Sequence, residues 1–149
     1  MSSPHKSRTS NMKFCNWSIE KLPGLSEQER SQLQSCGIAN TLTLVQQGKT
    51  PQDRLMLAHK LHIHLQHVNK WVALADLARI PSVGLQYCGL LLHAGVVSAA
   101  HLATIPPYRL HKQILRLQVA TMQRRDLCPA VEEVQQWIQQ AKTFMGQVR

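Results

Sequence analysis

The sequence predicts an all-α chain of two tandem helix-hairpin-helix-like repeats packed as one compact helical domain. Three observations predict it. Apolar residues recur at helical spacing, as at Val134, Trp137, Ile138 and Ala141, and nowhere alternate with period two for long enough to require a sheet. Residues suited to helix ends sit where the apolar periodicity starts and stops. The chain also repeats. Shifted by 58 residues, Leu22-Pro23-x-Leu25 falls on Ile80-Pro81-x-Val83, Leu33 on Leu91, Gly37-Ile38 on Gly95-Val96 and Leu44 on Leu102. Shifted by 66, Leu61 falls on Leu127, Val68 on Val134, Trp71-Val72 on Trp137-Ile138 and Ala75 on Ala141. The second copy therefore carries eight more residues between Leu102 and Leu127.

Residues 1–15 are rich in Ser and basic side chains without apolar periodicity, which reads as a disordered basic tail. The first, degenerate repeat spans 16–75. Its hairpin is Leu22-Pro23-Gly24-Leu25-Ser26, and Ser26 with Glu29 three residues later is a capping box that satisfies two free backbone amides. Gly37 suits the left-handed end of that helix. Thr50-Pro51 with Asp53 marks another start: a capping hydroxyl, a proline at the first position and an acid in the first turn. The register predicts a helix break near His62 to His64. The second repeat spans 76–149, with its hairpin at Ile80-Pro81-Ser82-Val83-Gly84 and a helix closed by Gly95. Pro129 with Glu132 and Glu133 opens the last helix, and Trp71 and Trp137 are expected to anchor the core, each burying on the order of 200 Å².

A chain of 149 residues buries enough surface to need neither disulfide nor metal for stability. Its longest apolar run, around Leu90-Leu91-Leu92, is too short to cross a bilayer, and no secretory segment follows the start. The four cysteines, Cys15, Cys36, Cys88 and Cys128, are far apart with no Cys-x-x-Cys pair, so reduced structural thiols and a cytoplasmic setting are expected. Seventeen Lys and Arg against eight Asp and Glu leave a net charge of +9, which favours an acidic partner: nucleic acid, an anionic surface or an acidic protein face.

Three constellations could carry chemistry. In a nucleic-acid-binding hairpin, a Gly-hydrophobe-Gly turn lets bare amides approach a phosphate at a helix N-terminus. Each hairpin here keeps one glycine: Gly24-Leu25-Ser26 in the first, Ser82-Val83-Gly84 in the second. Glu27 and Glu29 follow the first and repel phosphate; Leu85, Gln86 and Tyr87 follow the second without a cation. The second constellation is basic: Arg109, Lys112, Arg116, Arg124 and Arg125, with Arg109, Lys112 and Arg116 on one helical face and Leu110, Ile114 and Leu117 on another. It reads as a stripe for an acidic partner, or as a solvated helix face. The third, His59, His62, His64 and His67, points in scattered directions on a helix and makes no metal pair, so no metal or cofactor is expected. The acids are scattered and no phosphate-loop pattern occurs, so no enzymatic activity is expected.

Trp71-x4-Asp76-Leu77-x-Arg79-Ile80, Val83-Gly84-x2-Tyr87-x3-Leu91-x3-Gly95-Val96 and Val134-x2-Trp137-Ile138-x2-Ala141-Lys142 form a further pattern. On these residues the chain from Trp71 to Lys142 resembles a bacterial family, found in cyanobacteria among others, described only as a domain of unknown function and itself similar to helix-hairpin-helix domains. The part from about Leu22 matches it more loosely. The resemblance implies tandem helical hairpins and no enzymatic activity, and it brings no ligand with it. Ser82 stands where that family usually has a glycine.

The expected function is that of a small non-catalytic adaptor or regulator. It would bind an acidic protein partner, such as a nucleic-acid-processing enzyme, through its repeats and basic helix. The alternative is sequence-tolerant DNA or RNA binding through hairpin amides near Gly84 and the basic helix.

Overall fold

The computed structural model describes residues 14–121 and 128–147, and the described residues form no strand beyond an isolated bridge between Ser18 and Asn40. A 3-10 turn at Ile19–Lys21 leads into α1 (Glu27–Ser35), α2 (Thr41–Gln47), α3 (Pro51–Leu61) and α4 (Leu65–Ala78). These are followed by α5 (Gly84–His93), α6 (Ala99–Thr104), α7 (Pro107–Thr121) and α8 (Val131–Gln147). The protein is all-helical there.

The local signals act where the sequence puts them. Ser26 Oγ accepts from Glu29 N–H while Glu29 Oε1 accepts from Ser26 N–H, closing the capping box of α1. Asn40, Thr50 and Ser98 cap α2, α3 and α6 with their side-chain oxygens. Gly37 and Gly95 both take φ near +90°, at +83° and +97°. In each case the amide one residue on, Ile38 or Val96, returns to the carbonyl of Leu33 or Leu91 at 2.9 Å. That bond fixes the exit direction of the chain after α1 and after α5.

The break between α3 and α4 uses no glycine. His62 takes the left-handed conformation at φ 57°, and its N–H bonds back to Ala58 and His59 carbonyls. A side chain there costs roughly 1–2 kcal/mol, more than the ~0.5–1 kcal/mol of chain entropy that glycine would add. His62→Gly is therefore expected to raise the melting temperature by about 2 °C, read by thermal circular dichroism.

Two long helices organise the packing. The long helix α4 packs on α2 and α3, and the long helix α8 packs on α6 and α7; α4 and α5 join the two groups. One continuous core results. Trp71 on α4 and Trp137 on α8 are 1% and 0% exposed and serve as its largest members. α4 is buried nearly all round from Trp71 to Ala75, as expected of a central helix.

Phe14 and Cys15 fall within the stretch expected as a tail, yet they are docked. The Phe14 ring meets Phe144 edge-on at 4.3 Å, and Cys15 N–H donates to the Arg79 carbonyl at 2.9 Å. The ring contact and the backbone bond together tie the chain to the core there. Residues 1–13 lie outside the described residues.

Candidate functional site

The second hairpin follows α4 without a break in hydrogen bonding. Val83 N–H and Gly84 N–H both return to the Ile80 carbonyl, at 3.0 and 2.9 Å. Ser82 N–H donates to Gln140 Oε1 at 2.9 Å, and the Ser82 hydroxyl donates to the same oxygen at 2.8 Å. From the other side Trp137 Nε1 donates to the Ser82 carbonyl at 3.1 Å. Helix α8 thus clamps the turn through two side chains one helical turn apart. Val83 is buried in the core, and Gly84, at φ 53°, is buried beneath the Trp17 ring, 3.7 Å from where a β-carbon would stand. All three amides of the Ser82-Val83-Gly84 turn are engaged within the chain.

The first hairpin is more open. Gly24 is exposed with φ +85°, Leu25 enters the core, and Ser26 is committed to its capping box. Arg30 Nη2 donates to the Leu22 carbonyl at 3.1 Å and braces the turn from α1. The carboxylate of Glu29 fills the place at Ser26 N–H that an incoming anion would need.

The basic segment forms the outer face of α7. Arg109, Lys112 and Arg116 are all exposed, while Leu110, Ile114 and Gln118 turn to the core on the opposite side. None of the three cations forms an ion pair among the described residues. Tyr108 and Val119 lie exposed on the same helix, at 70% and 42%. Arg109 also lines a small pocket of about 320 Å³ with His101, Ile105 and Gly95. Arg124 and Arg125 lie outside the described residues.

His59, His62, His64 and His67 are exposed, and the described residues bring no group of three or more metal-ligating side chains together. The four thiols are unpaired. Cys128 Sγ lies 3.8 Å from His111 Nε2, but burial pushes its pKa up, the reverse of what a nucleophilic thiolate requires. Burial raises Cys88 further, from 9.0 to about 11. Because the folded pKa lies above the unfolded one, the stability Cys88 contributes is complete below pH 9 and is lost as pH rises from 9 toward 11. Urea titrations are expected to show a decline on the order of 2 kcal/mol over that range, and Cys88 should be the last thiol to react with iodoacetamide at pH 8.

Two residues of the sequence pattern gain roles that spacing did not disclose. Asp76 Oδ2 accepts from the Ala99 N–H at 2.7 Å, tying the end of α4 to the start of α6, while its Oδ1 pairs with Arg79. The Arg79 guanidinium in turn sits 4.5 Å above the Phe144 ring. Asp76 and Arg79 stand three apart on one helical turn, the available signal for the pair; nothing in the sequence marks Gln140 as the partner of Ser82.

No curated protein and no solved structure matches the chain. Residues 23–144 match the family model of the domain of unknown function DUF4332, which takes in the first hairpin from Pro23 onward, the second hairpin whole and, among the described residues, the eight α-helices but the last turn of α8. The chain belongs to the DUF4332 family.

Proposed function

We propose that the protein is a non-catalytic adaptor of the cytoplasm. Its scaffold is a pair of helix-hairpin-helix-like repeats, and it binds an acidic protein surface through the basic face of α7. The observation that carries this reading is the sidedness of that helix. Arg109, Lys112 and Arg116 share its exposed face and form no ion pair among the described residues, and the opposite face is spent on the core. The repeat reading is supported by the matched ends of α1 and α5 and by the matched packing of α4 and α8.

Direct binding of DNA or RNA is the alternative, with the same cations on phosphates. It draws less support, because the hairpin amides it would use at Ser82 to Gly84 already have partners.

Nuclease-treated extract passed over the immobilised protein separates the two. A partner that survives nuclease, and that is lost with Arg109→Glu, Lys112→Glu and Arg116→Glu together, supports the adaptor. If nothing survives, and the purified protein binds duplex DNA with a log-log salt slope of roughly −4.5 for all five predicted cations, the nucleic-acid reading replaces it.

A further inference from the structure

A cleft of about 800 Å³ runs along α4, walled on one side by the α2–α3 corner and on the other by α6 and the end of α8. Asn69, Ala73, Asp76 and Arg79, spaced by three or four residues, line it as one stripe. Between the first and last of them the helix rises about 15 Å. The middle is apolar, formed by Leu42, Val45, Val72, Ala73, Leu92 and Val97.

The charge in this cleft is one-sided. Lys49, Arg54 and Lys70 line it near the start of α4. Arg54 is held by neutral acceptors, donating from Nε to Asn69 Oδ1 and from Nη1 to the Gly48 carbonyl, both at 2.9 Å, so its charge stays uncompensated. Lys49 and Lys70 are exposed and form no ion pair among the described residues. Asp76 is the acid of the lining, and it is committed to Arg79 and Ala99. The net result is an apolar trough with three uncancelled positive charges toward one end.

We infer that this cleft receives a single amphipathic helix of a partner protein, its apolar stripe laid along α4 and its carboxylates gathered over Lys49, Arg54 and Lys70. The trough length matches about ten residues of helix, enough for anchors at i, i+3 or i+4, and i+7. Leu42 and Val97 on its rim remain 39% and 58% exposed. Such low walls would leave a small amphiphile half in water, whereas small-molecule sites enclose most of their ligand. A helix lying across them covers both. The chain's own residues 1–13 have the wrong charge for the site, with Lys6, Arg8 and Lys13 and no acid. The inference shares with the proposed function an acidic protein partner, but it needs none of the α7 cations.

The probe is a synthetic peptide of about 16 residues with Leu at i, i+3, i+4 and i+7 and Glu clustered at one end, titrated into the full-length ¹⁵N-labelled protein. Amide shifts are expected at Val72, Ala73, Val97 and Ser98. Lys49→Glu with Lys70→Glu should weaken binding about tenfold or more, and Val97→Glu, at a site 58% exposed, should weaken it comparably. Reversal of Arg109, Lys112 and Arg116 should leave it unchanged. The inference is overturned by the absence of shifts at about 1 mM peptide, by shifts centred on α7, or by binding indifferent to both cleft variants. Shifts with dodecanoate but not with the peptide would also overturn it and make the cleft a small-amphiphile site. Loss of extract partners on α7 reversal with no peptide binding would sink this inference alone; peptide binding with partners indifferent to α7 would sink only the α7 reading.

Discussion

Trp137→Ala is expected to destabilise the protein by about 3–5 kcal/mol, lowering the melting temperature by about 10 °C or more. The indole is fully buried, with Tyr87 against it at a centroid distance of 4.9 Å. Its Nε1 holds the Ser82 carbonyl of the second hairpin. Truncation therefore opens a cavity and strips a polar partner from the turn in one step. Trp137→Phe separates these losses: it keeps most of the ring volume and leaves the carbonyl unpaired, for a cost of about 1–3 kcal/mol. Urea midpoints of both variants check the pair. If phenylalanine costs as much as alanine, the hydrogen bond rather than the volume carries the effect.

Asp76→Ala should cost about 2–3 kcal/mol, the range for removing a charged group that holds two hydrogen-bond partners. The Ala99 N–H at the start of α6 and the Arg79 guanidinium both lose their acceptor. Arg79 already has a buried Nε without a partner, so the loss falls on a group with little reserve. Hydrogen exchange distinguishes this from a diffuse loss of stability: the Ala99 amide should exchange faster than the change in global stability explains. Asp76→Asn, which keeps an acceptor but not the charge, should recover part of the protection.

Much of the fold was legible because it is written in local chemistry. Ser26 with Glu29, Thr50 with Asp53, and the glycines at 37 and 95 act through neighbours three to five residues away, and such bonds follow from spacing alone. The Trp71 and Trp137 stripes were equally plain, since a face of apolar residues at helical period has nowhere to go but inward. The α7 face was readable for the same reason. The cleft was not, because its charges come from residues 49, 54 and 70 on three different segments, and no periodicity joins them. Nor was the engagement of the hairpin amides, which depends on Gln140, 58 residues further along the chain. Seen as sequence, Ser82 is a lost glycine; in the fold it is a donor with a waiting acceptor.

The junction of α4 and α5 draws in both ends of the described chain. Trp17 Nε1 takes the Ala78 carbonyl at 2.8 Å and Cys15 N–H takes that of Arg79, two acceptors that the end of α4 would otherwise leave open. Trp137 and Gln140 arrive from the opposite side of the sequence, and Phe144 stacks on Arg79 while meeting the Phe14 ring edge-on. The hydrogen bonds of this junction are therefore complete only when the segments on both sides of it are in place. Sharing these bonds, the two similar-looking parts of the chain should melt together, in one transition, rather than as independent modules.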